Sequence, residues 1–199
     1  ATYPNHGILG EEFEDHPAAD SEAPPVTWVV DPIDGTKAFI AGIPTWGVLI
    51  GINDGSGAVA GIMDQPYTGE RFVGGPDGAT LNDRPLSTRS CDDLGQASLY
   101  CTDRGMFSRP SELAAFDAVS DQVALRRFGA DCYAYCMLAH GLIDLVIEGD
   151  LKPFDIQALI PIVRGAGGVI TNWHGGSPES GGLVVAAGDA ARHKEGLEI

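Results

Sequence analysis

Trp28-Val29-Val30-Asp31-Pro32-Ile33-Asp34-Gly35-Thr36 opens as a strand and closes as a loop carrying two carboxylates. Val26 to Val30 is apolar and β-branched, which favours an extended chain that ends at Asp-Pro. Pro32 fixes a turn that lets the carboxylates of Asp31 and Asp34 and the carbonyl of Ile33 point the same way. Hard divalent cations want oxygen ligands, and magnesium takes one or two carboxylates together with substrate phosphate. The N–H groups of Gly35 and Thr36, at the mouth of a short helical turn, suit phosphate oxygens, and the Thr36 hydroxyl can orient a water. Taken alone, Asp-x-x-Asp-Gly-Thr also fits an ordinary Asx-type turn. Two distant segments add to it. Gly10-Glu11-Glu12 supplies a carboxylate after an Ile8-Leu9 strand, and Lys152-Pro153-Phe154-Asp155 supplies another at a loop-to-helix junction, where Asp155 also fits a plain N-cap.

Outward from that stretch, Trp46 to Asn53, Gly57 to Asp64 and Glu70 to Val73 are short apolar runs separated by Gly, Asn, Asp and Pro, which predicts an antiparallel meander. Ser98 to Thr102 reads as a strand, and Pro110 to Val119 as a helix capped by Ser108 or Ser111. From Leu125 strand and helix alternate: Leu125 to Phe128, Asp131 to His140, Ile143 to Glu148, Phe154 to Arg164, Val169 to Trp173. Gly141 is a natural helix stop, and Pro161 predicts a kink or a boundary inside its helix. A strand over Leu183 to Ala187 and a polar helix from Asp189 close the chain. This divides it into a sheet-rich part, 1–95, that carries the loop, and an alternating β/α part, 96–199.

The 199 residues are 44% hydrophobic, enough to bury the core of one large domain or two small packed ones. Twelve basic against 28 acidic side chains give a formal charge of −16, which repels phosphate backbones and anionic membranes, so neither nucleic acid nor membrane is an expected partner. An enzyme this acidic needs local help to hold a phosphate ester, and a metal ion is the commonest source of it. Cys91, Cys101, Cys132 and Cys136 lack the spacing of a disulfide scaffold or zinc site, and no signal peptide or long apolar run is present; reduced thiols and a cytoplasmic location are expected. Cys132 and Cys136 read as buried helix-face residues, Trp28 and Trp46 as core. His6, His16, His140, His174 and His193 lack metal-ligand spacing and read as surface or packing residues.

Gly10-Glu11-Glu12, the Trp28-to-Thr36 stretch, and Asp155 followed by Gly165-Ala166-Gly167-Gly168-Val169 stand in an order that resembles the inositol monophosphatase-like phosphatases, over nearly the whole chain. The resemblance implies a layered α/β/α/β/α sandwich and a Mg²⁺-dependent phosphomonoesterase. It implies that Glu11, Asp31 and the Ile33 carbonyl bind one ion and that Asp31, Asp34 and Asp155 bind a second, with two or three ions activating water. Asp34 and Thr36 are then catalytic residues of the loop, Gly35 and Thr36 hold phosphate, and Glu12 supports the ligands from behind.

Within the family, Gly35-Thr36-Lys37-Ala38-Phe39-Ile40, Phe128-Gly129-Ala130-Asp131-Cys132-Tyr133-Ala134-Tyr135 and Leu151-Lys152-Pro153-Phe154-Asp155 look like the histidinol-phosphate phosphatase branch. The expected reaction is hydrolysis of L-histidinol phosphate in histidine biosynthesis, with Asp34, Gly129, Asp131 and Glu148 contacting substrate. Chemistry agrees, because Asp131 and Glu148 can pair with the ammonium and imidazole of such an ester. Asp131 also fits a helix N-cap. Arg126 and Arg127 fit a solvated strand edge or an approach to phosphate, and Lys37 is read as solvated or anion-balancing. The alternatives are an inositol-1-phosphatase or broader sugar or nucleotide phosphatase, and, outside enzymes, a transcription-associated binding factor or an inactive fragment.

Family members begin with two helices whose Asp pairs with the threonine matching Thr36. Nothing here corresponds to them, so an N-terminally truncated copy with an uncovered sheet face is expected. The resemblance also implies a homodimer for the full-length protein.

Overall fold

Side chains that alternate between two faces lay the first half of the chain into one sheet. The computed structural model describes residues 2–12, 14–18 and 25–198. Strands β1 (Gly7–Gly10) and β2 (Thr27–Asp34) pair in parallel. After the short helix α1 (Thr36–Ala41) an antiparallel meander runs through β3 (Gly47–Asn53), β4 (Ala58–Gln65), β5 (Glu70–Gly75), β6 (Gly78–Leu81) and β7 (Arg84–Pro85) in sequential order. The last hairpin, not anticipated from sequence, turns on Asn82 and Asp83, both at positive φ (47° and 64°).

The second half supplies β8 (Ser98–Cys101), α2 (Pro110–Ser120), β9 (Leu125–Phe128), α3 (Asp131–Ala139), β10 (Leu145–Leu151), α4 (Pro153–Ile156), α5 (Leu159–Gly165), β11 (Val169–Asn172), β12 (Gly182–Ala187) and α6 (Ala190–Glu198). Its strands form a second sheet in the order β11-β12-β10-β8-β9. Residues of β10 and β12 alternate between two cores. Val146, Val184 and Ala186 join the cluster that also holds Leu49, Met63 and Phe72 of the first sheet, while Leu145, Ile147 and Val185 pack with Phe116 and Val119 of α2. The layers are therefore sheet, helices α3 to α5, sheet, and helices α2 and α6. These are four of the five layers of the expected α/β/α/β/α sandwich among the described residues, and one core joins residues on both sides of 95.

The start of α5 sits on bare backbone. A Cβ added at Gly61 would lie 2.0 Å from the Ala158 carbonyl oxygen, and one at Gly74 would lie 2.3 Å from the Ile162 nitrogen. These glycines line a furrow in the inner face of the first sheet into which the Ala158–Ile162 backbone drops. The outer face carries Trp28, Val30, Ile50, Ile52 and Ile62, all half-buried. Trp28 and Trp46 are thus partly accessible, contrary to the core reading, and Trp28 donates its indole N–H to His6 Nδ1 at 2.9 Å.

Three local expectations change. The helix expected over 154–164 is two helices, and Pro161 is the third residue of α5, inside the first turn where its missing N–H removes no helical bond. Arg109, not Ser108 or Ser111, occupies the N-cap of α2, and its N–H donates to Glu112 Oε2 at 3.0 Å. The strand expected to stop at Val30 continues to Asp34, with one extra residue relative to β3 between Asp31 and Asp34. Pro32 has no N–H to give the ladder, so the chain bulges there. Gly141 ends α3 at φ 74°, as expected.

Candidate metal and phosphate site

Two bulges flank one cavity. The bulge in β2 turns Asp31 and Asp34 toward the second sheet, and a bulge in β10 between Glu148 and Leu151, with Asp150 at φ 54°, leads into α4 and Asp155. Bulges bend a strand and re-aim side chains, and here they bring together carboxylates far apart in sequence. One oxygen from each of Asp31, Asp34 and Asp155 lies within 4.8 Å of the others.

Each carboxylate is anchored. Asp31, only 1% exposed, accepts the Ile33 N–H at Oδ1 (2.9 Å), so the Asx-type turn exists and coexists with the cluster. Asp34 Oδ2 accepts the Cys132 N–H at the start of α3 (2.9 Å). Asp155 is the third residue of α4 rather than its N-cap, and its Oδ2 accepts the Lys152 N–H (2.7 Å). Glu11, held by its N–H to the Val30 carbonyl (3.3 Å), also lines the cavity, as do Ile33, Gly35 and Thr36. The Thr36 hydroxyl donates to the Ile33 carbonyl at 3.2 Å.

The cavity, about 140 Å³, is completed by Thr102, Met106, Asp131, Cys132, Tyr135, Glu148 and Leu151. Gly129 is not in its wall; it is an exposed glycine at φ 82° between β9 and α3, and its N–H donates to the carbonyls of Cys101 and Thr102. Glu12, Lys37, Arg126 and Arg127 also lie outside the wall, with Arg126 donating to Ser120 Oγ at 2.6 Å. Asp131 is the first residue of α3, after an N-cap at Ala130, and its carboxylate accepts from Thr45 rather than capping the helix. Sequence reading missed Thr45, Thr102 and Tyr135. A lone threonine in a loop or at a strand end carries no signal until the fold brings it to a carboxylate.

Six carboxylates, those of Glu11, Asp31, Asp34, Asp131, Glu148 and Asp155, line this cavity with no Lys, Arg or His among the described lining residues. The electrostatics show the strain. Burial pushes the Asp31 carboxyl up to about 7, with the charges of Glu11 and Asp155 adding to the rise against the Ile33 N–H. Burial, helped by Asp31 and Asp155, raises Asp34 well above the usual carboxylate range. It lifts Asp155 to about 6, Glu11 again adding. Burial also takes Glu148 to about 7 against the Thr102 N–H and hydroxyl, both of which donate to its Oε1. Oxygen donors that resist ionisation in one another's presence become favourable once a hard divalent cation supplies the missing positive charge, so the donor set fits such an ion.

No helix of the described residues is long and apolar enough to cross a membrane. The profile of the inositol monophosphatase family matches residues 1–198. The chain is 43% identical to the bifunctional phosphatase IMPL2, chloroplastic, of Arabidopsis thaliana, over 98% of its own length and 58% of that protein's. It is 30% identical to a histidinol-phosphatase of Chlorobaculum parvum, over 88% of this chain and 66% of that one. It thus spans less than two thirds of the length of both. An inositol monophosphatase structure from Zymomonas mobilis superposes with a TM-score of 0.88 at 37% identity, covering 98% of this chain and 75% of that one. Sheet order, carboxylate cluster and these likenesses agree: the chain belongs to the inositol monophosphatase family, a metal-dependent phosphatase family whose members include histidinol-phosphatases.

Proposed function

We propose that the chain is the catalytic part of a Mg²⁺-dependent phosphomonoesterase that hydrolyses L-histidinol phosphate to L-histidinol and phosphate. The observation that carries this reading is the wall of six carboxylates without a cation. Two divalent ions offset four of those charges, and the entering phosphate adds more negative charge. An alcohol bearing an ammonium or imidazolium restores balance, whereas neutral hydroxyls do not.

In this reading Glu11, Asp31 and the Ile33 carbonyl would hold one ion, and Asp31, Asp34 and Asp155 would hold a second. Bound there, magnesium would polarise the phosphoryl group, acidify a water and stabilise the leaving alkoxide. The chain's own groups do the rest. Gly35 and Thr36 offer backbone N–H groups to phosphate oxygens at the mouth of α1. Thr36 gives its hydroxyl proton to the Ile33 carbonyl, which leaves its oxygen lone pairs free to accept from the attacking water. Asp131 and Glu148 face the leaving alcohol, and a cationic group there would hold Glu148 ionised near neutral pH. Burial around Leu151, Met106 and Tyr135 limits water on that side.

The likeness to the Zymomonas mobilis inositol monophosphatase favours a second reading, in which inositol 1-phosphate is the substrate. Comparing kcat/KM for histidinol phosphate, inositol 1-phosphate and adenosine 3′,5′-bisphosphate with Mg²⁺ separates the two. A clear preference for histidinol phosphate is expected, and comparable values for all three would defeat the histidinol assignment.

A further inference from the structure

Asp131 is held in an uncommon conformation. Its φ of 47° is left-handed, a region that a residue with a Cβ enters at a cost unless its surroundings fix it there. Three contacts do so. Its N–H donates to Thr102 Oγ1 at 3.1 Å. Its Oδ2 accepts the Thr45 hydroxyl at 3.2 Å. Its Cβ and Cγ lie so close to Gly35 that a side chain at Gly35 would place a Cβ 2.9 Å from the Asp131 Cγ. Thr102 in turn gives its hydroxyl proton to Glu148 Oε1, so one threonine ties the two acidic side chains that face the leaving alcohol.

Thr45 reaches this site from the opposite half of the molecule. It lies in the loop between α1 and β3, where its N–H donates to the Ile43 carbonyl at 2.9 Å, and its own carbonyl receives the Cys132 thiol at 3.9 Å. The loop is therefore docked on the start of α3 by main chain and side chain together. Only one carboxylate oxygen of Asp131 is engaged; Oδ1 has no protein donor among the described residues. A carboxylate held at one oxygen cannot spin about its last bond, and its second oxygen keeps a fixed direction.

We propose that Thr45 is a specificity-positioning residue, whose hydroxyl aims Asp131 Oδ1 at a cationic nitrogen on the alcohol portion of the substrate. The proposal rests on the reading of a cationic amino alcohol phosphate given above, and it adds a residue distant in sequence that touches neither phosphate nor the metal-capable carboxylates. Because Thr45 acts only through Asp131, its loss changes recognition of the cationic group and leaves the phosphate end as it was.

The test is calorimetric titration of L-histidinol, myo-inositol and inorganic phosphate into the chain with Mg²⁺ present, for the unchanged sequence, Thr45→Val, Thr45→Ala and Thr45→Ser, so that no turnover is needed. Thr45→Val and Thr45→Ala should weaken L-histidinol about tenfold, the worth of a hydrogen bond to a charged group, with phosphate within about twofold. Thr45→Ser, which keeps the hydroxyl, should restore most of the loss. Retention of full L-histidinol affinity by Thr45→Val and Thr45→Ala overturns the role of Thr45 alone. Equal loss of L-histidinol and phosphate shows a merely structural role and also overturns it. If the unchanged chain binds L-histidinol no better than myo-inositol, the cationic-substrate reading falls, and the proposal with it.

Discussion

Magnesium binding should release protons, by an amount set by the raised carboxyls. Asp31 stands at about 7 and Asp155 at about 6, both above the ordinary value of 3.8. At pH 6.5 these two hold about one proton between them, and at pH 8.5 only a few hundredths of one. An ion that requires both ionised must expel that proton, so from these two residues alone its apparent affinity rises about 20-fold between pH 6 and pH 8. Asp34, also raised by burial, adds to the release. The sign for stability follows from the same shifts. Folding takes up protons between about pH 4 and pH 7, so the metal-free chain loses stability as pH rises through that window, and magnesium reverses the loss. Calorimetric titration of MgCl₂ at pH 6, 7 and 8, in buffers of differing ionisation enthalpy, reads both affinity and proton count. An affinity constant to within about twofold across that range, with no proton released, would show that the clustered carboxylates are not the ligands.

Asp31→Asn should raise the melting temperature of the metal-free chain at pH 8, by relief of about 4 kcal/mol of charge burial, and abolish the magnesium response and, under the proposed function, hydrolysis; a thermal melt with and without MgCl₂ checks it. Gly61→Ala should destabilise by at least about 3 kcal/mol, since its methyl would occupy the position of the Ala158 carbonyl, and a urea midpoint close to that of the unchanged chain would contradict the close approach described for that glycine. Gly35→Ala meets both a φ of 80° and the Asp131 side chain, so a cost of about 1–3 kcal/mol is expected, together with lost phosphatase activity. Asp144, 2% exposed, receives the Arg89 guanidinium at 2.7 and 2.6 Å and the Ser98 N–H at 2.8 Å. Burial alone would raise its carboxyl, but these partners hold it below the usual range, so its contribution is present above about pH 4 and fades on acidification. Asp144→Ala should cost about 3 kcal/mol at pH 7, measured by chemical denaturation.

The elements that sequence revealed were those whose pattern is local. Runs such as Trp46 to Asn53 and Gly57 to Asp64 are short, apolar and bounded by turn residues, and they lie within a residue of β3 and β4. Gly141 stops α3 because a left-handed φ favours glycine. The metal-capable residues were legible for another reason: carboxylates at a strand end next to Pro and Gly make an unusual pattern even without a partner in view. What stayed hidden depends on contacts across the chain. The break between α4 and α5 lies where Ala158 meets the Gly51 and Gly61 backbone, which no periodicity announces. Thr45 and Thr102 matter through Asp131 and Glu148, 86 and 46 residues away. Gly129, expected from the resemblance of Phe128 to Tyr135, stands outside the cavity wall at a left-handed φ, a position that the resemblance alone does not specify.

The glycine furrow separates two kinds of tolerance. Where helix and sheet meet through side chains, a substitution can be absorbed by repacking, and the helix drifts as its neighbours change size. Here the contact is main chain on main chain, so no rotamer exists that could cushion or shift it. The first sheet therefore acts as a ruler for the segment from Ala158 to Ile162, just beyond Asp155, because its closest approaches are backbone on backbone. Side chains elsewhere in the helical layer can vary with less effect on where the Ala158–Ile162 backbone rests.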